Sequence, residues 1–373
     1  LQPSLWQSAR VTVEIDDELF GGNITVIGSD EDGVIVAPEP DPEGDFCQWF
    51  AFRSRDRDGA GGGVRLDANG VSWPEALEDY NVFASFDGAP WERIETSFDG
   101  AELSWQHPAG VELAEFALWE PYTLARRRRL LARMRRARGA TVASLGVTPD
   151  GNDLWAVQLL GGPKRLWIVA RQHPGEVMAE WFADGLLERL SDLRDPTVKA
   201  LRAEATVTVV PCANPDGAAR GHHRVNAAGA DMKRAWIDDD DSCPEVVALR
   251  AAIEASSVDL FIDVHGDERT ARAFVAKSEG NPSYDERLAA LEARLVDALA
   301  EGWEEFDRES GYPEDEPGEA DLRSAANFVG EFYECPSVTL ELPFNGAGRG
   351  WTANDARQFG ARSLDAMLAV LSE

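Results

Sequence analysis

Two of the chain's five histidines stand directly after apolar runs that read as strands, His173 in RLWIVARQHPGE and His265 in LFIDVHGDE. His173 and Glu176 form an H-x-x-E pair, and Pro174 and Gly175 bend the chain so that imidazole and carboxylate can converge on one point. His265 arrives from a second strand end 89 residues after Glu176. Two imidazoles and one carboxylate, with a fourth position open to water, make up the donor set of hydrolytic zinc sites.

Such a site also needs a base for the water and a positive group for the developing oxyanion. Glu341, in the apolar run VTLELPF, is an ionisable group where a strand should be fully buried. Arg224 and Arg234, in the loop ANPDGAARGHHRVNAAGADMKRAW, can supply the positive charge, and a guanidinium pairs bidentately with a carboxylate, as gripping a free C-terminus requires.

Each of these signals also has a plainer explanation. A buried strand glutamate is often part of a structural ion pair. His222 and His223 are adjacent, point in different directions, and read as loop or supporting residues rather than ligands. Asp263, two residues before His265 on the same strand face, reads equally as a group that orients an imidazole and as strand-end polarity. Gly59–Gly63 lacks the lysine and hydroxyl residue of a phosphate loop, and the sequon Asn23–Thr25 reads as loop chemistry.

From Val11 to Leu118 the chain consists of short apolar or alternating runs broken by turn residues: Val11–Ile15, Ile24–Ile27, Val34–Val36, Phe46–Arg53, Asn81–Phe86, Trp91–Phe98, Glu102–Gln106 and Val111–Leu118. Between them lie a Pro-rich stretch, Pro38–Pro42, and the Gly59–Gly63 run. The pattern predicts an all-β antiparallel sandwich domain over 1–118. Tyr122–Arg138 then has a helical period, with Leu124, Leu130, Leu131 and Met134 among eight arginines and no acidic residue. Its Arg126–Arg129 run resembles a nucleic-acid patch, but in so acidic a chain a helix whose arginines pair with acidic neighbours is preferred.

From Thr141 onward strands and helices alternate. Strands are expected at Thr141–Val147, Leu154–Leu160, Lys164–Ala170, Ala205–Pro211, Asp259–Val264, Ala273–Ala276 and Ser337–Leu342; helices at Glu176–Ser191, Pro244–Ser256, Ser283–Ala300, Asp321–Tyr333 and Asn354–Leu371. This order predicts an α/β domain over 119–373, a mixed and largely buried sheet flanked by helices. Functional residues are expected where its strands end.

The length, 373 residues with 44% hydrophobic, suits two domains or one large one with a real core and excludes a mainly disordered chain. With 36 basic and 67 acidic residues the formal charge is −31, which repels nucleic acid and anionic membranes, so neither is expected as a partner. No apolar run is long enough to span a bilayer, and the first thirty residues carry no export pattern. Cys47, Cys212, Cys243 and Cys335 lie far apart without a C-x-x-C pair, which predicts reduced, buried thiols and a cytoplasmic location.

HPGE, NPDG followed by GHHR, DMKR, DVHGDE and TLELPF occur in the order and rough spacing of zinc carboxypeptidases. More narrowly the chain resembles the cytosolic carboxypeptidase subfamily, in which a β-sandwich precedes the catalytic domain. The resemblance covers about 120–373 by motif and 1–118 by its β-rich pattern alone. It implies one zinc ion per chain, with His173, Glu176 and His265 as ligands. It makes Glu341 the general base that also passes the proton to the leaving amine. It makes Arg224 the arginine that polarises the scissile carbonyl, and Arg234 the one that binds the substrate's terminal carboxylate.

The chain departs from the family at the clamp, where Lys233–Arg234 replaces Asn-Arg. A lysine there can strengthen the grip on a carboxylate, reach an acidic side chain, or mark drift toward lost activity. For the family's active-site tyrosine the candidates are Tyr312 and Tyr333, and Tyr312, in a loop, is preferred. Arg269, Arg272 and Arg323 read either as lining the pocket for an acidic last side chain or as surface arginines.

The expected function is therefore a zinc-dependent metallocarboxypeptidase acting on peptides or protein tails, with acidic C-terminal residues preferred if those arginines line the pocket. The alternatives are a zinc-dependent N-acyl amino acid deacylase and a catalytically impaired relative that binds peptides.

Overall fold

The computed structural model describes residues 13–43, 46–237, 241–309, 311–313, 315–346 and 350–372; Val11 and Thr12, which open the first expected strand, lie outside them. The chain divides into two units, Leu1–Pro40 with Asp45–Pro121, and Asp41–Gly44 with Tyr122–Glu373.

The first unit is built from β1 (Val13–Asp16), β2 (Thr25–Asp30), β3 (Gly33–Ala37), β4 (Ala51–Asp56), β5 (Gly62–Asp67), β6 (Phe83–Phe86), β7 (Glu92–Arg93), β8 (Ser97–Phe98), β9 (Glu102–His107) and β10 (Leu113–Ala117). They form two five-stranded sheets, ordered β1-β4-β10-β6-β7 and β2-β3-β5-β9-β8. Side-chain alternation decides the inner faces: Leu103, Trp105 and His107 of β9 are buried while Ser104 and Gln106 are not. Phe50, Phe52, Trp105 and Phe116 meet inside with ring centroids 5.6 to 6.4 Å apart, and each such pair contributes about 1 kcal/mol beyond its buried area.

Two details depart from the sequence expectation. β3 and β5 run parallel, because the chain leaves this sheet to form β4 in the other and then returns, so the second sheet is mixed rather than purely antiparallel. The Trp91–Phe98 run splits into β7 and β8, which belong to different sheets, so it cannot remain one strand.

The second unit opens with α1 (Leu124–Met134), capped by the Thr123 hydroxyl, which accepts from the Arg126 N–H. Then come β11 (Ala140–Val147), β12 (Asp153–Leu159), β13 (Lys164–Ala170), α2 (Met178–Leu190), α3 (Pro196–Glu204), β14 (Ala205–Val210), α4 (Pro215–Arg220), α5 (Pro244–Ser256), β15 (Leu260–Asp267), β16 (Phe274–Ala276), α6 (Glu286–Gly302), α7 (Ala325–Tyr333), β17 (Ser337–Pro343) and α8 (Ala353–Leu371). Sequence periodicity missed α3 and α4 because both are short. Each nevertheless has a legible start, an Asp195 or Asn214 cap followed by proline at the first turn.

The seven strands are ordered β11-β12-β14-β13-β15-β17-β16, with β14, β13, β15 and β17 parallel and the remaining pairings antiparallel. β14, β15 and β17 are buried along their whole length, as a sheet covered on both faces requires. From β13 the chain steps to β14 on one side, and β15 then returns to the other side. This is a switch point that leaves a crevice beyond the carboxyl ends of β13 and β15.

The arginine-rich helix pairs internally. Arg127 makes a buried fork with Glu180, which Arg171 also engages, while Arg126 and Arg133 reach Asp184. No described helix is long and apolar enough to cross a membrane.

Candidate active site

β13 ends at Ala170, and Arg171 takes a left-handed backbone conformation with φ of 59°. Such a residue costs on the order of 1 kcal/mol, offset here because the Arg171 guanidinium donates to the Pro174 carbonyl at 2.8 Å and to Glu180 at 2.6 Å. The chain is thereby folded back into the His173–Glu176 turn. Gly175 donates to the His223 carbonyl at 2.8 Å, and a Cβ at this position would run into His223. Glu176 precedes α2 rather than opening it as expected, so its side chain remains in the turn.

His173 Nδ1 lies 2.5 Å from Glu176 Oε1, His265 Nδ1 lies 2.7 Å from Glu176 Oε2, and the two Nδ1 atoms are 3.2 Å apart. All three side chains are buried, and among the described residues they form the one cluster of His, Cys, Asp or Glu able to hold a metal ion. The outer nitrogens face carboxylates: His173 Nε2 is 3.1 Å from Asp231 Oδ1, and His265 Nε2 is 2.9 Å from Asp263 Oδ2. A proton on each Nε2 leaves both Nδ1 lone pairs aimed at one point beside a carboxylate, the tautomer that a cation selects. Burial raises the Glu176 carboxyl, but the two imidazoles outweigh burial and hold it well below the usual range. The donor set and its orientation thus fit a zinc ion.

Asp263, which the sequence left open, is itself oriented. Gln172 Nε2 donates to it at 2.7 Å, and Trp236 Nε1 donates to Gln172 at 2.9 Å. Asp231 was missed altogether. It bridges His173 to Arg224, whose Nε donates to Asp231 Oδ2 at 2.8 Å, and these two partners outweigh its burial and lower its carboxyl. The signal was its place in the DMKR motif, two residues before Lys233.

Glu341 of β17 is the register partner of His265 on the adjacent parallel strand, which sets it beside the cluster. Its Oε1 lies 3.0 Å from the Tyr312 hydroxyl and 3.4 Å from Lys233 Nζ, while Oε2 is buried without a hydrogen-bond partner. Burial pushes its carboxyl up, against the pull of Lys233 and His265. Tyr312 also reaches Asp267 at 3.1 Å. Tyr333 is elsewhere, packed against a hydrophobic core at the end of α7.

Arg234 is exposed, its Nη1 3.1 Å from Asp321. With Lys233 and Tyr312 it lines a cavity of about 640 Å³. Arg269, Arg272 and Arg323 are not among the lining residues. Arg269 and Arg323 are turned to Asp267 and Asp321 and Arg272 is exposed. His223 pairs with Glu268 at 2.8 Å and His222 with the Val225 carbonyl, both outside the metal cluster.

Comparisons with known proteins show what the chain is similar to. A family profile described as zinc carboxypeptidase matches residues 130–359, and one described as the cytosolic carboxypeptidase N-terminal domain matches residues 15–119. A metallo-carboxypeptidase from Burkholderia cenocepacia is 34% identical, superposes with a TM-score of 0.92 and covers 97% of this chain and 100% of its own. A metallo-carboxypeptidase from Pseudomonas aeruginosa, solved with (2-guanidinoethylmercapto)succinic acid, is 35% identical with a TM-score of 0.89, covering 96% of this chain and 99% of its own. Cytosolic carboxypeptidase 1 from Xenopus laevis is 27% identical over 43% of this chain, a match that spans 13% of that protein's length.

Proposed function

The chain belongs to the zinc carboxypeptidase family and is a metallocarboxypeptidase, and on that premise we propose that it removes C-terminal residues from peptides or protein tails, using one zinc ion held by His173, Glu176 and His265. The observation that carries this reading is the convergence of two Nδ1 atoms and the Glu176 carboxylate on one point. Zinc bound there supplies Lewis acidity and a water that ionises near neutral pH.

The remaining chemistry belongs to side chains of this chain. Glu341 takes the proton of the attacking water at its unpartnered Oε2 and delivers it to the departing amine. Arg224, held by Asp231, steadies the oxyanion, and Arg234 grips the terminal carboxylate. Burial and the nearby carboxylates keep the Tyr312 phenol protonated, so it serves as a donor beside Glu341.

Lys233, Arg234, Lys277 and Arg308 line the 640 Å³ cavity and would suit an acidic last side chain. Six carboxylates, Glu279, Asp297, Asp307, Glu309, Asp315 and Asp321, line it too and would instead suit a basic side chain, so lysine- and arginine-ended peptides belong in the test. All four cysteines are buried thiols, which supports a reducing, cytoplasmic setting.

The test is incubation of the zinc-loaded protein with peptides that differ only in their last residue, followed by mass spectrometry, with Glu341→Gln as control. Stepwise loss of single residues by the wild type alone is expected, fastest from glutamate or aspartate ends. One observation favours peptide binding without turnover: the buried ammonium of Lys233 already faces the base. Tight peptide binding with no product at any pH would establish that second reading.

A further inference from the structure

The Pro38–Pro42 stretch has no part in the site as described so far, yet its one aspartate is almost fully buried, at 4% exposure. Asp41 stands between Pro40 and Pro42. Proline after it disfavours the helical conformation, and proline before it fixes its neighbour, so the carboxylate is presented from a pre-set, extended backbone. Asp41–Gly44 groups with the second unit.

The Asp41 carboxylate accepts three successive backbone N–H groups of the GHHRVN loop. Oδ1 takes His223 at 2.6 Å, and Oδ2 takes Arg224 at 2.6 Å and Val225 at 3.0 Å. This loop begins where α4 ends at Gly221, which adopts the left-handed conformation with φ of 73°, so these N–H groups lie beyond the helix. Consecutive N–H groups pointing to one side make an anion-binding concavity, and bonds to a carboxylate are about twice as strong as neutral ones.

We propose that Asp41 is a positioning residue that fixes the backbone of Arg224, so that its guanidinium, tied at the other end to Asp231, is held ready for the developing oxyanion. The proposal rests on the reading of Arg224 given above. Asp41 touches none of the three candidate metal ligands, and it acts by fixing three consecutive N–H groups in the part of the loop that carries Arg224. A shift of about 1 Å in a group that must meet a transition-state charge costs up to roughly 100-fold in rate.

The experiment is a double-mutant cycle on the zinc-loaded full chain with one cleavable peptide, comparing wild type, Asp41→Asn, Arg224→Ala and the double variant for kcat and KM, with zinc affinity measured by competition. Asn keeps the acceptor for His223 but turns an amide NH₂ toward the Arg224 and Val225 N–H groups. The expected result is a fall in kcat of about tenfold or more for Asp41→Asn, with KM and zinc affinity little changed and no further fall when Arg224 is already alanine. Equal losses in both backgrounds, or a loss explained by weaker zinc binding, would overturn the proposal. An Arg224→Ala variant as fast as wild type would instead overturn the reading of Arg224 itself. The same cycle with Asp41→Ser, which keeps one acceptor, decides the matter if the asparagine variant does not fold.

Discussion

The ammonium of Lys233 stands 3.4 Å from Oε1 of Glu341, with both side chains buried. Where the resemblance expects a neutral amide, this chain sets a full positive charge against the group proposed as base. Burial raises the Glu341 carboxyl and Lys233 is the strongest influence lowering it. A base works only when ionised, so removing the ammonium, as in Lys233→Asn, should move the acid limb of the kcat/KM profile to higher pH. An acid limb that stays in place would mean that Lys233 does not face the base in solution.

Glu341→Gln should keep the shape of the strand and lose the proton acceptor. Turnover is expected to fall by about 10²–10⁴-fold with zinc content unchanged. Atomic absorption on the purified variant, beside single-turnover kinetics, separates this from simple loss of metal.

Removing the metal should cost stability as well as activity, because three buried donors then face one another without a cation. Zinc at about 1,000 times its dissociation constant adds roughly 4 kcal/mol, visible as a rise in melting temperature when zinc is returned to chelator-stripped protein. His265→Ala should show neither the rise nor the recovered activity.

Asp231→Asn should weaken zinc binding by about 10–100-fold, since its carboxylate fixes the His173 imidazole, and should loosen Arg224 as well. Zinc affinity by competition with a chromogenic chelator reads the first effect. An unchanged affinity would show that the His173 tautomer is set by something else.

Glu245, at the start of α5, is buried with one oxygen lacking a hydrogen-bond partner, and burial pushes its carboxyl up to about 7. The folded state therefore holds this proton more tightly than the unfolded chain. Its contribution is fully present below the ordinary carboxyl range and is lost as the pH rises to about 7. Glu245→Gln should flatten that decline, raising the melting temperature at pH 8 by several degrees while leaving it near wild type at pH 4. Equal shifts at both pH values would count against a buried, protonated carboxyl.

The candidate metal ligands and base were legible in the sequence because His173 and His265 follow apolar runs and Glu341 is a carboxylate inside one, and such patterns survive without knowledge of the fold. RLWIVA before His173, LFIDV before His265 and VTL before Glu341 mark strands that end or run at the site, and β13 and α5 keep the bounds expected for them. What no single stretch encodes is contact between distant residues. Asp41 lies 182 residues before His223, and Lys233 lies 108 residues before Glu341, yet each pair meets through side chain or backbone. The parallel pairing of β3 with β5 is likewise set by a path through a second sheet. Local sequence determines which residue types sit at strand ends, because period and turn chemistry act over a few positions. Only the tertiary structure decides which of them share a charge, because a Coulomb contact depends on distance in space and on the water excluded from it.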